Sequence, residues 1–339
     1  MHRADKAVLR LASGVALAVL LAYGLPMALP FVVCVVAILV LCRQGPPIPL
    51  PRGALLAAGI GALVAAGMLM VPLLEHYPLA GVLLTGAILH ALFRRGGEPI
   101  KPGTMILAIA ITAIPVAGVA EQALASQLAK SLALGIGTGI LVSSLAHALF
   151  PDPASPPAPP SPAGTAPSSS KALQATLLVL PVFVLALTNP SFYLAAIIKS
   201  GGLAQQAGAA KAGSAGRELV GGTLAGAGLA ALAWLGLSLR PNLMMLALWV
   251  ALAALWCGAR LFGVKPSSRP PSFWLNALMT MLILLGPAIE DSATGKDVPK
   301  ASAIRVTVMV GLALYAWATV WVLERWRAGR ARARTRSFD

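Results

Sequence analysis

Glu75-His76-Tyr77-Pro78, then Leu79 through Phe93, then Arg94-Arg95-Gly96-Gly97: this stretch holds the plan of the whole chain. A polar, proline-broken turn opens an apolar run, and two arginines followed by two glycines close it. Such a run reads as a helix set in hydrocarbon, with cations at one end only. The figure recurs from end to end. Apolar stretches follow one another, proline and glycine punctuate them, and nearly all Lys and Arg fall in alternate gaps.

Composition agrees with lipid as the solvent. The 339 residues are 58% hydrophobic and 11% charged, with mean hydropathy +0.82. A soluble domain carries roughly a quarter charged residues. The net charge of +15 and the pI near 10.6 do not point to nucleic acid. The excess is spread over short loops and one tail, as membrane orientation demands. Cys34, Cys42 and Cys257 lie inside apolar stretches with no CxxC and no metal spacing, so they read as small packing residues. No cofactor and no metal is expected. The basic start (Arg3, Lys6, Arg10) leads into a run continuous with further spans, so it reads as a first span and not as a cleaved signal peptide.

The apolar segments run from about Val8 to Leu25, Phe31 to Leu41, Ala54 to Leu74, Leu79 to Phe93, Thr104 to Val119 and Leu128 to Phe150. Pro151 to Ser170, almost all Pro, Ala and Ser, cannot bury a core and reads as a linker. Beyond it come Leu173 to Thr188, a weak segment from Ser191, Leu219 to Leu239, Leu243 to Phe262, Phe273 to Ile289 and Ile304 to Leu323. Lys199-Ser200-Gly201-Gly202 interrupts the weak one, which reads as a broken or re-entrant helix. The halves match in layout: Arg52 with Arg217, Pro115 with Pro287, Lys130 with Arg305. The expected fold is therefore all-α, a polytopic membrane protein of about twelve transmembrane helices in two parallel six-helix repeats. Its parts are a first membrane half at 1–150, a linker at 151–170, a second half at 171–324 and a basic tail at 325–339. With the N-terminus inside, only Lys130, Arg240, Lys296, Lys300 and Arg305 of the 26 Lys and Arg fall outside. Both termini then lie in the cytoplasm of a multi-pass inner-membrane protein.

Among motifs, Arg217-Glu218-Leu219-Val220-Gly221-Gly222-Thr223-Leu224-Ala225-Gly226 stands out. It is a basic anchor followed by a small-residue helix start. Gly222-x-x-x-Gly226, like Gly135-x-x-x-Gly139, lets a neighbouring helix approach closely, within the chain or in a homo-oligomer.

Arg217, Gly222-Thr223 and Gly226 opening the third helix of a six-helix half resemble the fusaric acid resistance / aromatic acid exporter superfamily. Leu9-Arg10-Leu11-Ala12-x-Gly14, the turn from Pro26 to Pro30, and His147-Ala148-Leu149-Phe150-Pro151 are similar to a compact branch of it. The larger members carry sizeable cytoplasmic domains, and this chain has only the linker and a short tail. The resemblance implies efflux of aromatic or other organic acids, with a periplasmic membrane-fusion (adaptor) protein as partner.

Ionisable groups inside spans need a reason, since each costs about 2.5–3.5 kcal/mol at the bilayer centre on an insertion scale. Lys130 and Arg305 either snorkel to the interface or form a pair of cations for a small organic anion. Lys199 is either a loop residue at a span's inner end or an anion contact, and Asn189, at the Asn189-Pro190 turn that ends the preceding segment, joins the candidate substrate residues. His90 and His147 are structural or proton-coupling histidines. Glu290 and Asp291 read as loop residues. Enzyme motifs are absent, so no catalytic residue is expected. The expected function is efflux transport; the alternative is a non-transporting membrane subunit that assembles an adaptor complex.

Overall fold

The computed structural model describes residues 2–25, 27–42, 59, 67–96, 102–151, 169–209 and 212–335. Outside them fall Pro26, Arg43, Arg52, Lys101, Lys211, most of the third apolar segment, the linker from 152 to 168, and 336–339.

All regular structure among the described residues is helical. The elements are α1 Arg3–Gly24, α2 Pro30–Leu41, α3 over 67–76, α4 Pro78–Arg95, α5 Pro102–Ala120, α6 Gln122–Leu149, α7 Ser169–Thr188, α8 Pro190–Ala209, α9 Ala212–Leu239, α10 Leu243–Leu261, α11 Pro271–Ala293 and α12 Val298–Thr335. Eight of these are long and apolar enough to cross a membrane: α1, α5, α6, α7, α9, α10, α11 and α12. α2 and the apolar part of α8 are shorter. His90, Arg94 and Arg95 in the last turns of α4 lower its hydropathy.

Local chemistry explains the boundaries. Proline in the first turn starts α2, α4 and α11, where the missing N–H has no helical partner to lose. Asn242 caps α10 by accepting from the Met245 N–H at 2.7 Å. Gly263 (φ +76°) and Gly295 (φ +72°) turn the chain after α10 and α11 in a conformation that disfavours other residues.

Packing sets α11 and α5 at the centre. Of the apolar window of α11, 83% is buried, against 28% for α12. α2 has no polar face and is enclosed on all sides. It packs on α6 where Gly135 and Gly139 lie: a Cβ at Gly135 would stand 3.2 Å from the Val33 Cα, and one at Gly139 3.2 Å from the Ala37 Cα. α1 and α10 run antiparallel, since Gly24 meets Leu243 while Gly258 meets Val8 and Leu11. Lys6 Nζ donates to the Pro151 carbonyl at 2.7 Å, so the start of α1 and the end of α6 share one end of the bundle.

Several expectations are corrected. α8 does not break at Lys199-Ser200-Gly201-Gly202; it is helical through all four. Its glycines serve close packing on α5, with Gly201 against Ile109 and Gly202 against Met105. α12 does not end at Leu323 but continues to Thr335, and α7 begins at Ser169. Arg10, read as part of the basic start that leads into the first span, lies two turns inside α1 and is buried. Glu290 and Asp291 belong to the last turn of α11, not to a loop.

Candidate functional site

The lysine that interrupts the weak apolar segment is the centre of a built site. Lys199, midway along α8, is 2% exposed. Its Nζ donates to Asn276 Oδ1 and to Thr280 Oγ1, one turn apart on α11. The acceptors are themselves fixed. Asn276 Nδ2 donates to the Leu219 carbonyl of α9 at 3.2 Å, which turns the amide oxygen toward the lysine. The Thr280 hydroxyl donates to the Asn276 carbonyl at 2.6 Å, leaving its lone pairs for the amine. Thr223 Oγ1 also donates to the Leu219 carbonyl, at 2.8 Å.

The Gly222-Thr223-x-x-Gly226 motif forms the wall behind this cluster. A Cβ at Gly222 would stand 2.7 Å from Asn276 Nδ2, and one at Gly226 2.5 Å from the Ala277 carbonyl oxygen and from Thr280 Cβ. The two glycines bring α9 onto α11 at the level of the acceptors. Three features read separately in sequence (a stray lysine, a Gly-Thr motif and an apolar helix) thus converge on one point.

Among the described residues every partner of Lys199 is neutral. The ion pairs Arg305–Asp291 at 2.6 Å and Lys296–Asp291 at 3.8 Å do not touch this cluster. Removing a cation from water costs several kcal/mol unless charge and hydrogen bonds repay it. Among the described residues Lys199 has hydrogen-bond acceptors and no carboxylate paired with it, so the site is chemically suited to receive an anion.

The other candidates scatter. Arg305 is committed to buried Asp291. Lys130 is exposed on α6, and α6 does not pack on α12 among the described residues, so the two cations are not brought together. Asn189 is exposed and caps α8, accepting from the Phe192 N–H at 3.3 Å. His147 Nδ1 donates to the Ser143 carbonyl of its own helix at 2.8 Å. His90 is half-buried on α4 with Nδ1 lacking a partner among the described residues. Arg217 is exposed at the start of α9. Among the described residues no three His, Cys, Asp or Glu side chains gather as a metal site.

Sequence reading missed Asn276 and Thr280. Their signal was a polar pair at i, i+4 in an otherwise apolar helix, where uncharged groups also need partners. It missed Tyr315 as well. Pro181 inside α7 leaves the Leu177 carbonyl without its helical N–H, and the Tyr315 hydroxyl of α12 donates to that carbonyl at 2.5 Å. Beside this contact lies a cavity of about 350 Å³ lined by Pro181, Tyr193, Ala196, Gly311 and Tyr315 among others.

Helix length and composition make the chain a multi-pass α-helical membrane protein. Residues 7–146, the first half up to the last turn of α6, are similar to the family described as "Protein of unknown function (DUF2955)". No curated protein and no solved structure matches the chain. The comparisons supply no link to the fusaric acid resistance superfamily.

Proposed function

We propose that the chain is an inner-membrane exporter of organic anions in which Lys199 receives the substrate's carboxylate. The observation that carries this reading is a buried lysine whose partners among the described residues are all neutral. A cation serving structure alone is better compensated by a carboxylate held nearby. One that meets an anion in transit must lack that partner between turnovers. The resemblance in the Arg217 to Gly226 motif favours organic acids as cargo and a periplasmic adaptor as partner.

The proposed architecture is two six-helix halves related by an axis along the membrane normal, with both termini cytoplasmic. In its support, α1–α2, α2–α6, α1–α6, α4–α5 and α5–α6 pack together, and so do their counterparts six helices on, α7–α8, α8–α12, α7–α12, α10–α11 and α11–α12. Across the halves, α1 packs on α10 as α7 does on α4, and α2 on α11 as α8 does on α5. α11, which carries Asn276 and Thr280, touches both α2 and α8. The helices that build the Lys199 cluster, α8, α9 and α11, all belong to the second half, and two of them face the first half, α8 packing on α5 and α11 on α2.

The scaffold alternative needs Gly-x-x-x-Gly faces free for association. Gly135, Gly139, Gly222 and Gly226 are all taken up by α2 or α11 of the same chain, which favours transport. The test is efflux from a bacterium stripped of its own exporters, loaded with hydroxybenzoate-type and fusaric-type acids, with and without an adaptor. Loss of the acids that depends on this chain supports the reading. No loss across the panel, with protein and adaptor in the membrane, sinks it.

A further inference from the structure

We infer that the α10–α11 hairpin carries a binding site for the phosphate of an anionic phospholipid, with one acyl chain laid along α10. This site uses neither Lys199 nor its acceptors and does not depend on transport. Its floor is a run of three rings. Trp256 and Trp274 stand edge to face at 5.0 Å between centroids, and Trp274 and Phe273 do the same at 5.0 Å. The Arg260 guanidinium lies 4.2 Å from the Trp256 ring and 4.9 Å from that of Trp274, while Arg269 lies 5.4 Å from Phe273. Two guanidinium groups are thus set on one aromatic platform.

The connecting turn is fixed. Gly263 reverses the chain, the Lys265 N–H bonds the Ala259 carbonyl at 2.8 Å, and Ser267 Oγ accepts from Trp274 Nε1 at 3.0 Å and from the Arg269 N–H at 3.1 Å. Arg260 uses one donor on the Trp256 carbonyl at 2.9 Å and keeps the others. Among the described residues none of Arg260, Lys265 and Arg269 is paired with a carboxylate. The positive-inside rule accounts for cations in this gap, but not for guanidinium groups held on rings without a carboxylate partner among the described residues.

A second observation points to a lipid over a free phosphate. Met244, Leu248, Leu252 and Trp256 are exposed apolar residues at four-residue spacing, and the next step of that stripe is Arg260. The stripe covers about 18 Å of helix, close to the depth of one leaflet. It offers a track for an acyl chain that ends at the cations.

Native mass spectrometry of the detergent-purified protein tests this with phosphatidylglycerol, phosphatidylcholine and glycerol phosphate. Wild type is expected to retain phosphatidylglycerol over phosphatidylcholine, and free glycerol phosphate not to displace it. R260Q/R269Q is expected to lower retention at least tenfold. If that variant does not fold, Trp256→Leu, which keeps every cation but removes the ring beneath Arg260, is expected to lower it about threefold. Equal retention of the two lipids, unchanged retention in the variant, or displacement by glycerol phosphate would each overturn the proposal.

Discussion

α2 and α8 are both short in apolar length and both enclosed by neighbouring helices, yet their chemistry is opposite. α2 reads Phe31-Val32-Val33-Cys34-Val35-Val36-Ala37-Ile38-Leu39 without a charged or amide side chain, and all of it is buried. α8 buries Lys199, Ser200 and Gln206. The difference shows what a membrane bundle needs in order to bury charge. Lys199 is accommodated because α11 offers two acceptors, α9 orients one of them, and two glycines let α9 come near enough to do so. α2 needs none of this, since apolar packing alone holds it.

Moving a lysine across that divide should have the largest effect. Val35→Lys puts an amine at a site 1% exposed with no acceptor built for it. We expect a loss of about 3 kcal/mol or more, seen as near absence of folded protein in detergent chromatography. Next is Gly226→Val, because the new side chain meets the Ala277 carbonyl and Thr280 on backbone that cannot yield easily. The expected cost is roughly 2–3 kcal/mol, read as a fall in thermal midpoint. Gly228→Ala on the same helix, where an added Cβ meets nothing within 4 Å, should leave the midpoint unchanged or raise it slightly. A similar fall for both would dissolve the link between the motif and the cluster.

Asn276→Leu separates the lysine from its oriented acceptor while Thr223 still serves the Leu219 carbonyl. A cost of about 1–3 kcal/mol is expected, and the doubly altered K199M/N276L should regain most of it, because no buried cation remains. Failure of the second change to rescue the first would mean that the two side chains act independently. The smallest effect belongs to Tyr315→Phe, which leaves the carbonyl freed by Pro181 unpaired and should cost about 1 kcal/mol. Adding Pro181→Ala should cancel that loss, since the helix then bonds its own carbonyl.

The fold class was legible because it rests on local properties: the length of each apolar run and the gaps where Arg and Lys fall. Lys199 was legible as a suspect for the same reason, since charge in such a run stands out against its neighbours. Its partners were not. Asn276 and Thr280 lie 77 and 81 residues along the chain, and only packing brings them to the amine. Gly201-Gly202 was misread as unwinding because glycine is a weak helix former in water. Inside a bundle the cost of freed backbone keeps the helix whole, and the missing side chains are spent on contact with α5 instead. Arg305 looked like an open cation because Asp291 was assigned to a loop. One more turn of α11 brings that carboxylate to 2.6 Å.

Organic-acid export by Lys199→Gln, compared with wild type and Lys199→Arg in the exporter-stripped strain, tests the central claim most directly. The account predicts at least a tenfold fall for the glutamine variant at equal membrane abundance, with the arginine variant keeping part of the rate. Wild-type export by Lys199→Gln would contradict it.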